Sequence, residues 1–450
     1  MNFTNLLNDI SGLVWGPITL SLLLGVGIYL TIGLKAFPIT NINFGFKSLF
    51  RKEKKQSDGD ISSFQSLMTA LSATVGTGNI AGVATAIFLG GPGAIFWMWL
   101  TALFGMATKY CEAFLAIYFR EKNANGNIVG GPMYYIKNGL DQKYHFLAYL
   151  FAVFGMIAAF GIGNGVQVNS VTQVVNNEFG ISKLLIGLSV ALLVGLVVLG
   201  GIKSIGNIAS KLVPIMSIIY VVGGLFIILK NANVVPDIFA LIIDSAFNAT
   251  AASGGFTGAT VWAAIRFGVS RGVFSNEAGL GSSPIAHAAA KTNNPMKQGS
   301  ISMLEPLIDT LVVCTITAFV ILLSGNWLNG INGAALTMSA FDSELPVLGK
   351  YIVVFGLTLF AFSTIIGWSY YGEKCAEFIF GEKIIPIYRI LWIFIIPFGA
   401  IIKLNLVWLI ADVMNGLMAL PNLIALLLLS PLIFGQTKKL RDSFNKQNEQ

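Results

Sequence analysis

Eleven uncharged or nearly uncharged stretches recur along this chain, each close to the length that crosses a bilayer core. They lie at about 13–34, 64–89, 94–119, 146–176, 184–202 and 212–229, then at 249–265, 301–323, 351–371, 385–402 and 404–429. The pattern predicts an all-α polytopic membrane protein with 11 transmembrane helices. Between the sixth and seventh stretches, Pro236 to Asn248 (PDIFALIIDSAFN) is too short to cross and is expected to lie on the outer surface as an interfacial helix. Gly325 to Gly349 reads as a Gly/Asn-rich outer loop. The polar segment from Gly435 reads as a tail that is disordered at its end.

The second stretch conflicts with its own surroundings. Phe64 to Leu89 holds 26 residues without a charge, yet its centre carries Ser72, Thr74, Gly76, Thr77, Gly78 and Asn79. A glycine-broken, hydroxyl-rich centre is tolerable in hydrocarbon only where it is buried in protein or lines a polar cavity. Such a span is either a flexible helix packed closely through its small residues or a broken helix that offers a ligand free amides and carbonyls. With the first span set aside, ten remain, and they divide as five and five of opposite orientation. TVGTGNIAG (Thr74 to Gly82) and ASGGFTGATVW (Ala252 to Trp262) then open the two halves, and paired interruptions of this kind mark a transporter's binding site. The expected division is 1–60 for an extra helix and cytoplasmic linker, 61–232 for core helices 1–5, 233–432 for the interfacial helix and core helices 6–10, and 433–450 for the tail.

Composition agrees with a membrane chain: 55% hydrophobic, 11% charged, 49 glycines and a mean hydropathy of +0.75. The net charge of +7 does not point to nucleic acid, because the basic residues fall in the connections, 23 on one side against 4 on the other, with Lys109 inside a span. That asymmetry places the amino terminus outside and the carboxyl terminus in the cytoplasm of a cell membrane. The first residues lack a basic n-region and include Asp9, so no cleaved signal peptide is expected. Cys111, Cys314 and Cys375 lie in or at the end of apolar segments and read as small core residues.

Five longer motifs stand together: Leu67 to Trp99, GGPMYYI (Gly130 to Ile136), GIGNGVQ (Gly161 to Gln167), RGVFSNEAGLGSSPIAHAAA (Arg271 to Ala290) and GWSYYGEK (Gly367 to Lys374). From Phe3 to about Leu429 the chain resembles the alanine or glycine:cation symporters, also called sodium:alanine symporters. The resemblance implies a LeuT-type 5+5 inverted repeat with one extra N-terminal helix. It also implies sodium (Na+) as coupling ion and uptake of glycine and alanine, with L-alanine expected and D-alanine left open.

The chemistry of the residues agrees. An amino acid zwitterion needs N–H groups or hydroxyls for its carboxylate and carbonyls for its ammonium. The break at Gly76 to Gly78 supplies the first, and the stretch Ser253 to Gly258 is expected to supply the second. The substrate candidates are Thr74, Gly76, Thr77, Gly78, Asn79, Gly163, Gln167 and Trp368. Carbonyls of Ala73 and Gly76 with hydroxyls of Ser363 and Thr364 suit a hard monovalent cation, and the resemblance places a sodium site at Ala361, Ser363 and Thr364. A Ser-Thr pair in a span also back-bonds to the preceding turn. Gln167 and Asn164 either bridge helices or touch substrate; the resemblance assigns Gln167 to substrate. Trp368 shares a helix face with Thr364.

Charged residues within spans are functional candidates by default. Lys109 and Glu112, three apart, are expected to pair. Asp309 and Asp412 are candidates for coupling or for bridging helices, and Glu305 is expected near the cytoplasmic mouth. The run around Glu277, flanked by Arg266 and Arg271, reads as a cytoplasmic gate or hinge. His145 and His287 are expected near the cytoplasmic surface, too few for a metal or catalytic site. The expectation is therefore a secondary transporter rather than an enzyme or a channel, without nucleic acid or obligatory protein partner. Proton coupling is the alternative to sodium.

Overall fold

The computed structural model describes residues 3–51, 57–248, 260–402 and 405–448. Among them, eight helices are long and apolar enough to cross a membrane, or nine if the bent pair Ser63–Thr74 and Gly78–Gly90 is one span. Lys183–Val198 is a shorter apolar helix of 16 residues. Of the span expected at 249–265, residues 249–259 lie outside the described residues; the described helix here runs from Val261 to Asn276. Arg266 and Arg271 therefore lie inside a helix and not in a cytoplasmic loop. They are accommodated because, with Ser11, Ser270 and Asp412, they line a small polar cleft of about 90 Å³.

One short helix is found as expected, and two segments read as a loop and a tail are helical. Val235–Phe247 forms the short helix foreseen between spans, its Phe239 stacked on Trp99 and its Phe247 edge-on to Phe96. The supposed loop after Gly325 contains the helix Gly333–Glu344, which buries Leu336, Thr337, Ala340 and Phe341. The polar tail continues the last span as one helix, Asn405–Asn448. Besides helices, a two-residue hairpin pairs Glu121–Lys122 with Ile128–Val129.

Packing follows membrane rules, with large apolar residues outward and small ones between helices. Lys183–Val198 exposes Leu185, Leu188, Leu192 and Leu196 while burying Gly187, Val190, Ala191 and Val194. A Cβ on Gly187 would lie 2.6 Å from the Ala400 side chain, so the Ile385–Ile401 helix closes directly onto it. Ala94–Tyr118 packs on Val261–Asn276 and Pro295–Ser302, whereas Leu348–Phe380 packs on Gly201–Lys230 and His145–Ala158.

Charge is buried between these helices. Lys109 does not pair with Glu112; its Nζ lies 2.9 Å from Glu305 Oε2, both side chains fully buried. His287 Nε2 is 2.5 Å from the other Glu305 oxygen, and both side chains are fully buried within the protein. Glu112 instead accepts Asn422 Nδ2 at 2.6 Å and the Gly279 N–H at 3.1 Å. Helical spacing sets which face Lys109 and Glu112 share, but not which helix that face meets. Removing one member strands the other charge, so Lys109→Met is expected to lower stability by about 3–5 kcal/mol. Lys109→Met with Glu305→Gln should regain part of this, as measured by thermal unfolding in detergent.

Candidate functional site

The first break begins from a well-capped helix. Ser62 Oγ accepts the Gln65 N–H and Gln65 Oε1 accepts the Ser62 N–H, starting Ser63–Thr74. The helix stops as Val75 turns extended, and the chain resumes as a wide π-helical turn, Gly78–Gly82, with an overall bend of 50°. Asn79 mends the interruption: its Oδ1 accepts the Gly76 N–H at 2.8 Å. Its Nδ2 donates to Asp309 Oδ1 at 2.6 Å and to Ser275 Oγ at 3.1 Å. The fully buried Asp309 also accepts Ser275 Oγ at 2.7 Å and Thr310 Oγ1 at 2.8 Å. Asn79 thus fastens three segments together, and both ends of its amide are engaged.

A second interruption lies beside the first. Val261–Asn276 ends at Glu277, which is left-handed at φ +56°; Gly279 and Gly281 follow at φ +90° and +81°, and helix resumes at Pro284–Ala288. The break expected at Ser253 to Gly258 lies outside the described residues. The SNEAGLGS run is a buried break between two helices; Glu277 is 3% exposed.

Two further spans close on these breaks through glycines. A Cβ on Gly76 would lie 2.5 Å from Thr364 Oγ1 and 3.6 Å from Gln167 Oε1. One on Gly163 would lie 2.3 Å from the Trp368 Cβ, and one on Gly367 would meet Ser72 Oγ at 2.7 Å and the Ala73 Cβ at 3.0 Å. Around Gly163 the helix widens into a π-helical segment, Ala159–Gly165, and the Ile162 carbonyl accepts Gln167 Nε2 at 3.0 Å. Gln167 Oε1 is buried without a partner among the described residues.

Among the cation candidates, Thr364 is brought to Gly76 and Ala73 to Gly367. Ser363 and Thr364 both donate to the Phe360 carbonyl, at 2.8 and 3.0 Å, which leaves their oxygen lone pairs as acceptors. Ala361 is buried on the same helix. Thr74 back-bonds to Ala70 at 3.3 Å; Thr77 and Gly78 are buried at the break, where Gly78 faces Phe274 and Ser275. Trp368 donates its indole N–H to Glu277 Oε1 at 3.0 Å. Asn164 bridges helices, donating to the Trp392 carbonyl at 2.9 Å, and Asp412 does likewise, accepting Ser11 Oγ at 3.1 Å. Sequence reasoning missed Ser275 and the Glu277–Trp368 bond. Two glycines following an acidic residue in NEAGLG were the signal available for the break.

Residues 1–450 match the family described as the sodium:alanine symporter family. The chain belongs to this family. The sodium/alanine symporter AgcS of Methanococcus maripaludis is 51% identical over 449 residues, covering 98% of both chains. A Bacillus subtilis relative named "Probable sodium/glutamine symporter GlnT" is 40% identical, covering 95% of this chain and 88% of its own. The structures of an Eremococcus coleocola manganese transporter (TM-score 0.54, 13% identity, 83% and 80% coverage) and a Na+-coupled sialic acid symporter (0.51, 12%, 86% and 80%) share the fold. This sodium:alanine symporter family member is thus a multi-pass secondary transporter with a LeuT-like fold.

Asn79→Ala would leave the Gly76 N–H and one Asp309 oxygen without their partner. An unsatisfied buried group costs about 1–3 kcal/mol, so the variant should unfold at a measurably lower temperature in detergent.

Proposed function

We propose that this transporter couples sodium entry to uptake of small neutral amino acids, alanine and glycine, by alternating access. The observation that carries this reading is Gln167 Oε1, a buried acceptor without a partner among the described residues, facing Gly76 across from the Thr364 hydroxyl. An α-ammonium suits that acceptor, and the hydroxyl and N–H groups at Thr77 and Gly78 suit the carboxylate. Thr74, Gly163 and Trp368 bound the rest of the substrate site, while Asn79 holds its floor. Carbonyls of Ala73, Gly76 and Ala361 with the hydroxyls of Ser363 and Thr364 form the sodium site. The two halves, 61–232 and 233–432, act as inverted repeats beside an extra helix in 1–60, with the tail 433–450 in the cytoplasm and the amino terminus outside.

A proton-coupled reading draws on Asp309, a buried carboxylate beside the first break with no lysine or arginine within ion-pair distance among the described residues. Uptake of alanine into proteoliposomes decides between them. At fixed pH, uptake should require an inward sodium gradient; uptake driven equally by a proton gradient without sodium, and lost in Asp309→Asn, would favour the proton reading. Glycine should compete with alanine and leucine should not.

Thr364→Val keeps the side-chain shape but removes an oxygen, so it should raise the sodium concentration needed for half-maximal alanine binding. Gln167→Leu should weaken alanine binding at saturating sodium by about ten- to hundredfold, the value of a hydrogen bond to a charged group. Because the two sites are linked, the measurement is a full two-ligand titration. Unchanged sodium dependence in a folded Thr364→Val protein would reduce that hydroxyl to back-bonding alone.

A further inference from the structure

The Trp368 side chain is fixed from two sides. Its Cβ is pressed against Gly163, where no side chain fits, and its indole N–H is held by Glu277 Oε1 at 3.0 Å. The ring also stands edge-on to Tyr371, centroids 5.6 Å apart. Glu277 is itself held with unusual firmness. Its second oxygen accepts a hydrogen bond from Ser282 Oγ, its carbonyl accepts the Leu280 N–H at 3.2 Å, and its N–H closes the preceding helix on Val273 at 2.8 Å. A glutamate at φ +56° occupies a conformation that glycine or asparagine ordinarily takes, and such a residue persists only where its surroundings over-determine it. Here the surroundings are its own carboxylate contacts. Both oxygens are used, one within the break and one on the Leu348–Phe380 helix.

Resting on the reading of Trp368 as a wall of the substrate site, we propose that Glu277 is a positioning residue that sets the size limit for substrate. The carboxylate ties the second break to the indole and keeps the ring in the place that excludes larger side chains. Without that acceptor the indole would be held by packing alone. The bond crosses from the second broken helix to the Leu348–Phe380 helix, so the ring's position is coupled to the geometry of the break. A carboxylate suits this role better than a neutral acceptor, because a hydrogen bond to a charged group is stronger and shorter than a neutral one.

The test measures alanine and leucine binding to Glu277→Ala, Glu277→Gln, Trp368→Phe, Trp368→Ala and the double variant Glu277→Ala/Trp368→Phe at saturating sodium. Glu277→Ala should weaken alanine binding about tenfold or more and narrow the alanine-to-leucine preference, while Glu277→Gln, which keeps the acceptor, should restore most of both. Trp368→Phe removes the N–H and should reproduce the change in preference. The double variant should then be no worse than the stronger single one, because both remove the same bond. Additive losses, or an unchanged preference in Glu277→Ala and Trp368→Phe, would overturn the proposal. If Glu277→Ala does not fold, the comparison of Glu277→Gln with Trp368→Phe carries the same decision. Trp368→Ala tests the underlying reading separately: unchanged alanine and leucine binding there would mean that Trp368 is not a wall of the site at all.

Discussion

Opening a helix inside a membrane exposes backbone groups that no water is present to satisfy, and each unanswered group costs several kcal/mol. The structure around the first break is a set of answers to that demand. The Gly76 N–H is taken by Asn79, the Ile80 carbonyl by Thr337 at 2.9 Å, and the Ile162 carbonyl in the widened neighbouring helix by Gln167. Each answer comes with a geometric commitment. Asn79 must reach Asp309 and Ser275, Thr337 must bring Gly333–Glu344 against the break, and Gln167 is left with one oxygen unspent.

The second break is held by the same logic with charged partners. Glu112 accepts the Gly279 N–H, Asn422 donates to the Gly279 carbonyl at 2.9 Å and to Glu112, and Glu277 closes on Ser282. Lys109, Glu305 and His287 lie in the same buried region, and Lys109 is within electrostatic reach of Glu112 and Glu277 as well. Side chains from several spans thus hold a loop in which Gly279 and Gly281 supply the backbone freedom.

Much of this was legible in the sequence, for identifiable reasons. The first break was visible because polar and glycine residues interrupt an otherwise apolar stretch, and Gln167 stood out as an amide among apolar neighbours. The break at Glu277 to Gly281 is not apparent from uncharged windows, because the helix that leads into it contains Arg266 and Arg271. Lys109 was matched to Glu112 for a related reason: local spacing identifies neighbours on one helix, while its actual partner, Glu305, is almost two hundred residues away. The glycines and asparagines around Gly333–Glu344 suggest a loop, yet the segment is a helix that packs on Leu348–Phe380 and Thr315–Ser324 and bonds the Ile80 carbonyl through Thr337. Tertiary contact decided the last two cases, and one-dimensional pattern carries no record of it.

The convergence of three spans at Gly76, Gly163 and Gly367 also limits how the site can change. Where a contact is defined by the absence of a side chain, nothing remains to be trimmed, so these positions can only gain atoms and crowd the centre. On the proposed reading of the site, enlargement is available only at the bulky members, Trp368 above all. Divergence toward longer substrates on this scaffold is therefore channelled: it proceeds by remodelling a few large side chains and their tethers, while the glycine framework is inherited whole.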